Sequence, residues 1–252
     1  DKYFRRLGHA YDWELLYTTI SDKAQKVAQL SFIDLYHKGL VYRAEEPTLW
    51  CPKHQTALAQ AEVEDRERET ELHHILFEVL DGEGEKHRIP IATTRPELLP
   101  SCVGVFVHPD DQRFRNLVGK TAIVPIFNHR VPIMADERVD PGFGSGIVMV
   151  CTFGDTTDIE WWKTYKLQLA ISITPDGCLN SRAGKYEGLT IPEARKKIVG
   201  DLKDKGLLVG SEPLTQTVGC CWRCGTPLEY IVTPQWFIKT LEHKEALIEQ
   251  GK

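Results

Sequence analysis

No stretch of the 252-residue sequence approaches the roughly 18 consecutive apolar residues that a membrane-spanning helix requires. The N-terminal segment DKYFRRLGHAYDW also lacks the apolar stretch of a secretory signal peptide. Low-complexity tracts and internal repeats with periods of about 20 to 50 residues are absent as well. These absences argue against membrane-spanning and repeat architectures, and they predict a cytoplasmic protein that has no membrane partner.

An excess of positive charge is missing too. The sequence has 31 basic and 36 acidic residues, which gives a net charge of −5. The whole surface therefore cannot bind polyanions nonspecifically, and any contact with nucleic acid must be local. Apolar residues make up 42% and charged residues 27% of the chain, close to the averages of globular proteins. Such a chain can bury the core of one large domain or two small ones.

The middle of the chain has the pattern of a β-rich domain. Between residues 72 and 150, short β-branched and apolar runs are separated by Gly, Pro, Asn and Asp, as expected of a strongly bent sheet or barrel. The preceding segment AEVEDRERET is densely charged and is expected to be a solvated face or connector. We predict a mixed α/β (α+β) fold, with a bent sheet or β-barrel-like domain and flanking helices.

Two segments carry clear helix signals. Residues 20–40 contain apolar residues near helical spacing between Ser21, which can cap a helix, and Gly39, which can end one. Over residues 191–205, Thr190 and Glu193 have the spacing of a capping box ahead of an apolar stripe. These two segments are the predicted flanking helices.

The cysteines point to a metal site. The chain has seven of them, an odd number in a protein too long to need disulfide staples. Cys51 with His54, and Cys221 with Cys224, form two pairs that each have two intervening residues, the spacing of a tetrahedral structural Zn²⁺ site. Cys220 competes with Cys221, but its spacing fits less well. The alternative is a lone core cysteine at Cys51 and a redox pair at Cys221 and Cys224. A metal clip would join the two ends of the 166-residue segment between the pairs.

Two polar segments are candidates for a ligand site. The segment Thr93–Glu97 follows a strand-like run, and Pro96 disfavours helix at Arg95. It therefore forms either a corner that exposes hydroxyls and amides or an ordinary helix-capping turn. Asp155 and Asp158 follow another apolar strand. Their spacing lets them bind a cation such as an ammonium group, or cap the helix that follows.

These motifs together resemble the class I aminoacyl-tRNA synthetases of the valyl, isoleucyl and leucyl group. The resemblance extends over nearly the whole chain, and within the group ATTRPE and VD-x-GFG-x-G favour the valyl branch over the isoleucyl branch, whose corresponding segment usually reads TTTPW. The segments that carry it are DWELLYTTIS, GLVYR, WCPKHQTALAQAEVE, IATTRPELL, VHPDD, VPIMADERVDPGFGSGIVMV, GDTTD, DGCLNSRAGKYEGL, VGCCWRCGTPLE and TPQWFIK.

The resemblance implies an editing insertion that splits the catalytic domain and hydrolyses tRNA charged with the wrong amino acid. The expected substrate is the 3′ end of valine tRNA carrying threonine, and the expected partner is the rest of the synthetase. Both ends of the chain look cut from a larger one, and the ATP motifs of the HIGH and KMSKS types are absent, so this piece is not expected to activate an amino acid alone. The alternatives are a non-catalytic zinc-ribbon module that docks tRNA, or the editing domain of an isoleucyl or leucyl relative.

The domain organisation that the resemblance implies is a helical flank at 1–47, a zinc-binding base at 48–60 and 214–232, an editing domain at 61–213 and a return segment at 233–252.

The resemblance also assigns roles to residues. Asp158 is expected to hold the α-amino group, with Asp155 beside it, while Thr93, Thr94 and Arg95 form the pocket wall and bind the terminal adenosine. Glu97, Met149 and Cys151 complete the predicted substrate-binding set. The implied zinc ligands are Cys51, His54, Cys221 and Cys224, with His54 where many members have Cys. The chain departs from many bacterial members at Met149, Cys151 and Gly154, where those have a lysine, a threonine and a histidine.

Overall fold

A computed structural model describes residues 2–80 and 86–252 of the chain. The chain divides into two compact units, one of residues 47–233 and one of residues up to 46 and from 234 on. The helices and strands, in chain order, are α1 (Lys2–Arg6), α2 (Asp22–His37), β1 (Val41–Cys51), β2 (Thr56–Ala57), β3 (Val63–Leu80), β4 (Lys86–Thr93), β5 (Cys102–Val107), β6 (Thr121–Ile123), β7 (Arg130–Ala135), β8 (Ile147–Cys151), α3 (Thr156–Tyr165), α4 (Ile191–Asp204), β9 (Leu208–Cys221), β10 (Glu229–Ile238) and α5 (Lys244–Gln250).

A curled, mostly antiparallel sheet dominates the larger unit. Its strand order is β4-β3-β6-β7-β5-β8, and β9 pairs with the long strand β3. The pairing of β5 with β7 is parallel. Strands β4 and β8, at opposite ends of this order, contact each other, so the sheet curls into a half-barrel. The prediction of a mixed α/β fold with a bent sheet is confirmed.

The core lies between the curled sheet and helix α4. In β3, every second residue from Ile75 through Phe77 to Val79 is fully buried, as the alternation of side chains along a strand requires. Helix α4 begins with the predicted capping box of Thr190 and Glu193. Its apolar stripe, Ala194, Ile198 and Leu202, is fully buried in the same core. Burial stabilises the fold by about 1.5 to 3 kcal/mol for each large aliphatic side chain.

The smaller unit contains helix α2, which the sequence predicted over residues 20–40. The side chain of Ser21 caps it by accepting a hydrogen bond from the backbone N–H of Ala24. None of the residues of α2 is buried. The rings of Phe32 and Trp236 meet edge to face with centroids 5.4 Å apart. Among the described residues, no helix combines the length and the apolar character needed to cross a membrane.

Candidate functional site

The structure brings the two predicted ligand pairs together. Cys51 ends strand β1 and Cys221 ends strand β9, while His54 and Cys224 lie in the turns that follow. The Sγ atom of Cys51 lies 3.5 Å from Nδ1 of His54 and 3.6 Å from Sγ of Cys224. All four ligand atoms lie within 4.8 Å of one another. Bonds of about 2.0 to 2.3 Å to one tetrahedral ion would place such atoms roughly 3.3 to 3.8 Å apart, so this cluster can hold a metal ion.

The surroundings of the cluster suit metal binding. The hydroxyl of Thr226 lies 3.2 Å from Sγ of Cys224 and lowers the pKa of this thiol to about 7, which makes the thiolate accessible near neutral pH. Burial raises the pKa of Cys51, and a bound cation would offset that burial cost. The thiol of Cys220 instead donates to the carbonyl of Val218 at 3.5 Å.

A cavity of about 350 Å³ lies where the ends of β4 and β8 approach the start of α3. All the predicted site residues of this region except Glu97 line it. An adjoining cavity of similar volume shares Thr94, Arg95, Gly154, Asp155 and Gln216 with it. The main cavity is lined by Leu72, Ala92, Thr93, Thr94, Arg95, Leu98, Arg138, Phe143, Ile147, Val148, Met149, Cys151, Gly154, Asp155, Thr157, Asp158, Trp161 and Gln216.

One wall of the cavity is the corner after β4. The hydroxyl of Thr93 accepts a hydrogen bond of 3.0 Å from the backbone N–H of Arg95, and a short 3₁₀ helix, Pro96–Ser101, follows. The segment forms the corner at which Thr93 and Thr94 border the cavity, whereas no side chain caps the 3₁₀ helix, so the helix-capping alternative is not observed.

The opposite wall is the start of α3. Asp155 caps this helix through a 2.8 Å hydrogen bond from the backbone N–H of Asp158. The Oδ2 atom of Asp158 accepts a hydrogen bond of 2.8 Å from the N–H of Gly154, and Asp158 is only 7% exposed. Burial, together with the negative charge of Asp155, holds the pKa of Asp158 well above its ordinary value. A cation that enters the cavity beside Asp158 would stabilise its charged form.

Asp158→Asn is expected to raise the melting temperature of the chain, and to raise it more at pH 8 than at pH 5. The pKa of Asp158 is higher in the folded state than in the unfolded chain, so its contribution to stability falls as pH rises above the unfolded value. Asparagine does not titrate and escapes this loss. Thermal unfolding at several pH values measures the difference.

The matched control for this prediction is Asp111→Asn. A hydrogen bond from Arg113 lowers the pKa of Asp111, so this carboxylate stabilises the fold above its unfolded pKa and the variant should lose stability there. A melting-temperature difference for Asp158→Asn that is constant or shrinks with rising pH would contradict the assignment of a raised pKa.

Glu97 lies outside the cavity, in a cluster of four charged side chains that we call the Arg95 network: Arg95, Glu97, Arg195 and Glu229. Arg95 donates from Nε to Glu97 at 3.0 Å and from Nη2 to Glu229 at 2.7 Å. Arg195 binds the carboxylate of Glu97 through two hydrogen bonds, of 2.8 and 2.9 Å. Burial alone would raise the pKa of Glu97, but the hydrogen bonds from Arg195 and the charge of Arg95 hold it below its ordinary value. Sequence reasoning missed Arg195 and Glu229.

Sequence reasoning also missed Phe143. This residue lies between β7 and β8, borders the cavity and is 51% exposed. The neighbouring Gly144 has a φ of +56°, and a Cβ atom there would lie 2.6 Å from Cβ of Ala92, so only glycine fits. The GFG segment, an aromatic residue between glycines, was the available signal.

The chain matches a protein family and is similar to several known proteins. A family model described as tRNA synthetases class I (I, L, M and V) matches residues 1–252. The chain is 50% identical over 248 residues to the valine–tRNA ligase of Rickettsia typhi, covering 98% of this chain and 30% of that protein. It is 50% identical over 234 residues to that of Methanocaldococcus jannaschii, covering 93% of this chain and 26% of that protein.

Among solved structures, the chain is similar to a leucyl-tRNA synthetase from Agrobacterium radiobacter K84 in a ternary complex with tRNA. The identity is 19% and the TM-score 0.43, over 92% of this chain and 39% of that one. The chain spans 26 to 30% of the length of the two valine–tRNA ligases. Because the family model matches from the first residue to the last, this chain belongs to the class I tRNA synthetases of the isoleucine, leucine, methionine and valine group.

Proposed function

We propose that this chain is the editing domain of a valyl-tRNA synthetase, which acts in the cytoplasm and hydrolyses valine tRNA that carries threonine. The observation that carries the proposal is a cavity with the buried carboxylate of Asp158 on one wall and the hydroxyls of Thr93 and Thr94 on another. Such a cavity offers a partner for an α-ammonium group and donors for an ester and a ribose. The similarity to valine–tRNA ligases supports the choice of amino acid.

A separate editing site is needed because the synthetic site distinguishes threonine from valine only weakly. Threonine has the shape of valine with a hydroxyl in place of one methyl, and the synthetic site of valyl-tRNA synthetase is itself the known case of rejecting it by only about 10²-fold. A separate polar pocket can hydrolyse the product that the synthetic site lets through.

The roles of the residues follow from the walls of the cavity. Asp158 holds the α-ammonium group, and Thr93 and Thr94 position the ester and the terminal ribose. Met149 and Cys151 line the same cavity and pack against the amino-acid side chain. A water molecule attacks the ester carbonyl, the bond between that carbon and the ribose oxygen breaks, and the ribose oxygen leaves with a proton. The site contributes mainly orientation and electrostatic stabilisation.

The four-residue cluster of Cys51, His54, Cys221 and Cys224 holds a structural Zn²⁺ in this proposal. Three thiolates and one imidazole are the donors that zinc prefers, and four protein ligands fill a tetrahedral shell. When bound, the ion cross-links the ends of β1 and β9. No step of the hydrolysis involves it.

A structure with a non-hydrolysable threonyl-adenosine analogue tests the proposal. The analogue should lie between residues 93–95 and residues 155–158, with its ammonium group within hydrogen-bond distance of Asp158. An analogue bound only on the outer face of α4 would refute this site. Failure of the analogue to bind at all would favour a module that docks tRNA without catalysis.

Phe143→Ala in the full-length synthetase is expected to raise the KM for threonyl-tRNA by about fivefold or more. The exposed ring of Phe143 at the cavity offers a face for the terminal adenine, and stacking of a base on an aromatic ring contributes about 1 to 3 kcal/mol. Steady-state deacylation kinetics measure the effect. Phe143→Tyr keeps the face and should retain the parent KM, whereas equal KM values for the alanine variant and the parent would refute the stacking role.

A further inference from the structure

The Arg95 network connects to the loop between β8 and α3, residues 152–155, through the backbone of one residue. Nη1 of Arg95 donates to the carbonyl of Gly154 at 3.3 Å. The N–H of the same residue, Gly154, donates to Oδ2 of Asp158 at 2.8 Å. The guanidinium of Arg95 and the carboxylate of Asp158 therefore hold Gly154 from both of its backbone polar groups.

Gly154 lies too close to Asp158 to carry a side chain. A Cβ atom on Gly154 would lie 2.7 Å from Oδ2 of Asp158 and 3.3 Å from Cδ1 of Leu98. The backbone at Gly154 thus packs directly against the carboxylate and is hydrogen-bonded to it, so we expect a shift of this backbone to displace Asp158 as well.

Two carboxylates hold Arg95 in place from different parts of the fold. Glu97 is fully buried, and its position is fixed by the two hydrogen bonds from Arg195 on helix α4. Glu229 begins strand β10, five residues after the cluster cysteine Cys224, and is 5% exposed. The orientation of Arg95 therefore depends on two distant side chains. Glu229 lies 134 residues from Arg95 in the chain, and Arg195 lies 98 residues from Glu97.

Such a cluster is a poor way to gain stability. Apolar side chains of similar volume often stabilise a buried site as well as an ion pair does, because they avoid the cost of removing charges from water. What buried charge-assisted hydrogen bonds supply is fixed direction, since each donor must point at its acceptor. Fixing direction is a role that fits the Arg95 network, because the network ends at the backbone of Gly154 beside Asp158.

We propose that Glu229 and Arg195 are positioning residues for the hydrolysis, which act on Asp158 through Arg95 and the backbone of Gly154. The inference rests on the proposed editing function. Because catalysis by orientation is sensitive to displacements of about 1 Å, loosening Arg95 lowers kcat without removing any group that touches the substrate.

Glu229→Gln in the full-length synthetase tests this role. Glutamine keeps the size and an acceptor oxygen but removes the charge that holds Arg95. We expect kcat for threonyl-tRNA hydrolysis to fall about tenfold while KM stays within about twofold, and valine activation should remain as in the parent.

Arg195→Lys keeps its charge but loses the two-point contact with Glu97, and should lower kcat in the same way by a smaller factor. Glu212→Gln is the matched control, since Glu212 pairs with His74 at an exposed position and should leave both constants unchanged.

A double-mutant cycle separates positioning from general destabilisation. If Glu229 acts through Asp158, Glu229→Gln should change the residual rate of an Asp158→Asn enzyme by less than about twofold. An equal tenfold loss in both backgrounds overturns the proposal, and so does an unchanged kcat in the parent background.

Hydrogen exchange at the amide of Gly154 tests the same connection without substrate. Exchange should be about tenfold faster in Glu229→Gln than in the parent or in Glu212→Gln, because the backbone of Gly154 is held less firmly. Unchanged exchange overturns the positioning role even if the synthetase edits. Faster exchange in an enzyme that does not hydrolyse threonyl-tRNA would instead support the connection between Glu229 and Gly154 and refute the proposed function.

Discussion

Asp158→Ala in the full-length synthetase should slow the hydrolysis of threonyl-tRNA by at least about tenfold and leave valine activation intact. A hydrogen bond between a carboxylate and an ammonium group contributes roughly 1.5 to 3 kcal/mol, and about 1.4 kcal/mol corresponds to a tenfold change in rate. The loss of rate is larger if the carboxylate of Asp158 also aligns the ester with the attacking water. Single-turnover deacylation and amino-acid activation, measured on the same preparations, give the two rates.

Asp155→Ala is the comparison for this prediction. Asp155 is exposed and caps α3, so its removal should cost about 0.5 to 2 kcal/mol of stability and slow hydrolysis less than Asp158→Ala does. An Asp158→Ala enzyme that edits as accurately as the parent would show that another group holds the α-ammonium.

Removal of the metal ligands is expected to have the second large effect. The purified parent should contain about one zinc ion per chain, and a Cys51→Ser, Cys224→Ser double variant should contain close to none. Since structural zinc sites contribute directly to folding, the variant should also melt at a lower temperature and show faster hydrogen exchange around β1 and the end of β9. Metal analysis and thermal unfolding measure both effects.

Cys220→Ser is the matched control for the metal prediction. Cys220 is buried next to Cys221 in the chain but its thiol contacts the carbonyl of Val218, so this variant should keep the full metal content. Equal zinc in the parent and in the double variant would refute the site.

Local sequence signals predicted local structure. The sequence predicts helix α4 because its capping box spans only four residues and its apolar stripe repeats at helical spacing, and both features form as expected. The charged segment before residue 72 was expected to be a solvated face or connector. Its residues 64–69 are indeed exposed, but they form the first half of β3, paired with β9. A strand that is solvated on both faces lacks the alternation that identifies strands in a sequence.

Long-range charge pairing could not be predicted in the same way. The cluster of three cysteines and one histidine was predictable because each half of it has the short spacing of a ligand pair. Arg195 and Glu229 have no such local mark, since an ion pair can join any two positions that the fold brings together. Their partners, Glu97 and Arg95, lie 98 and 134 residues away, so only the folded structure connects them to the cavity.

The most direct measurement of the central claim is the rate at which the full-length synthetase releases threonine from threonyl-tRNA compared with valine from valyl-tRNA. The proposed editing function predicts faster release of threonine. The factor is about 10²-fold if the editing site discriminates between the two amino acids as strongly as the synthetic site does. Asp158→Ala should remove most of that difference. Equal rates for the two amino acids in the parent enzyme would contradict the account.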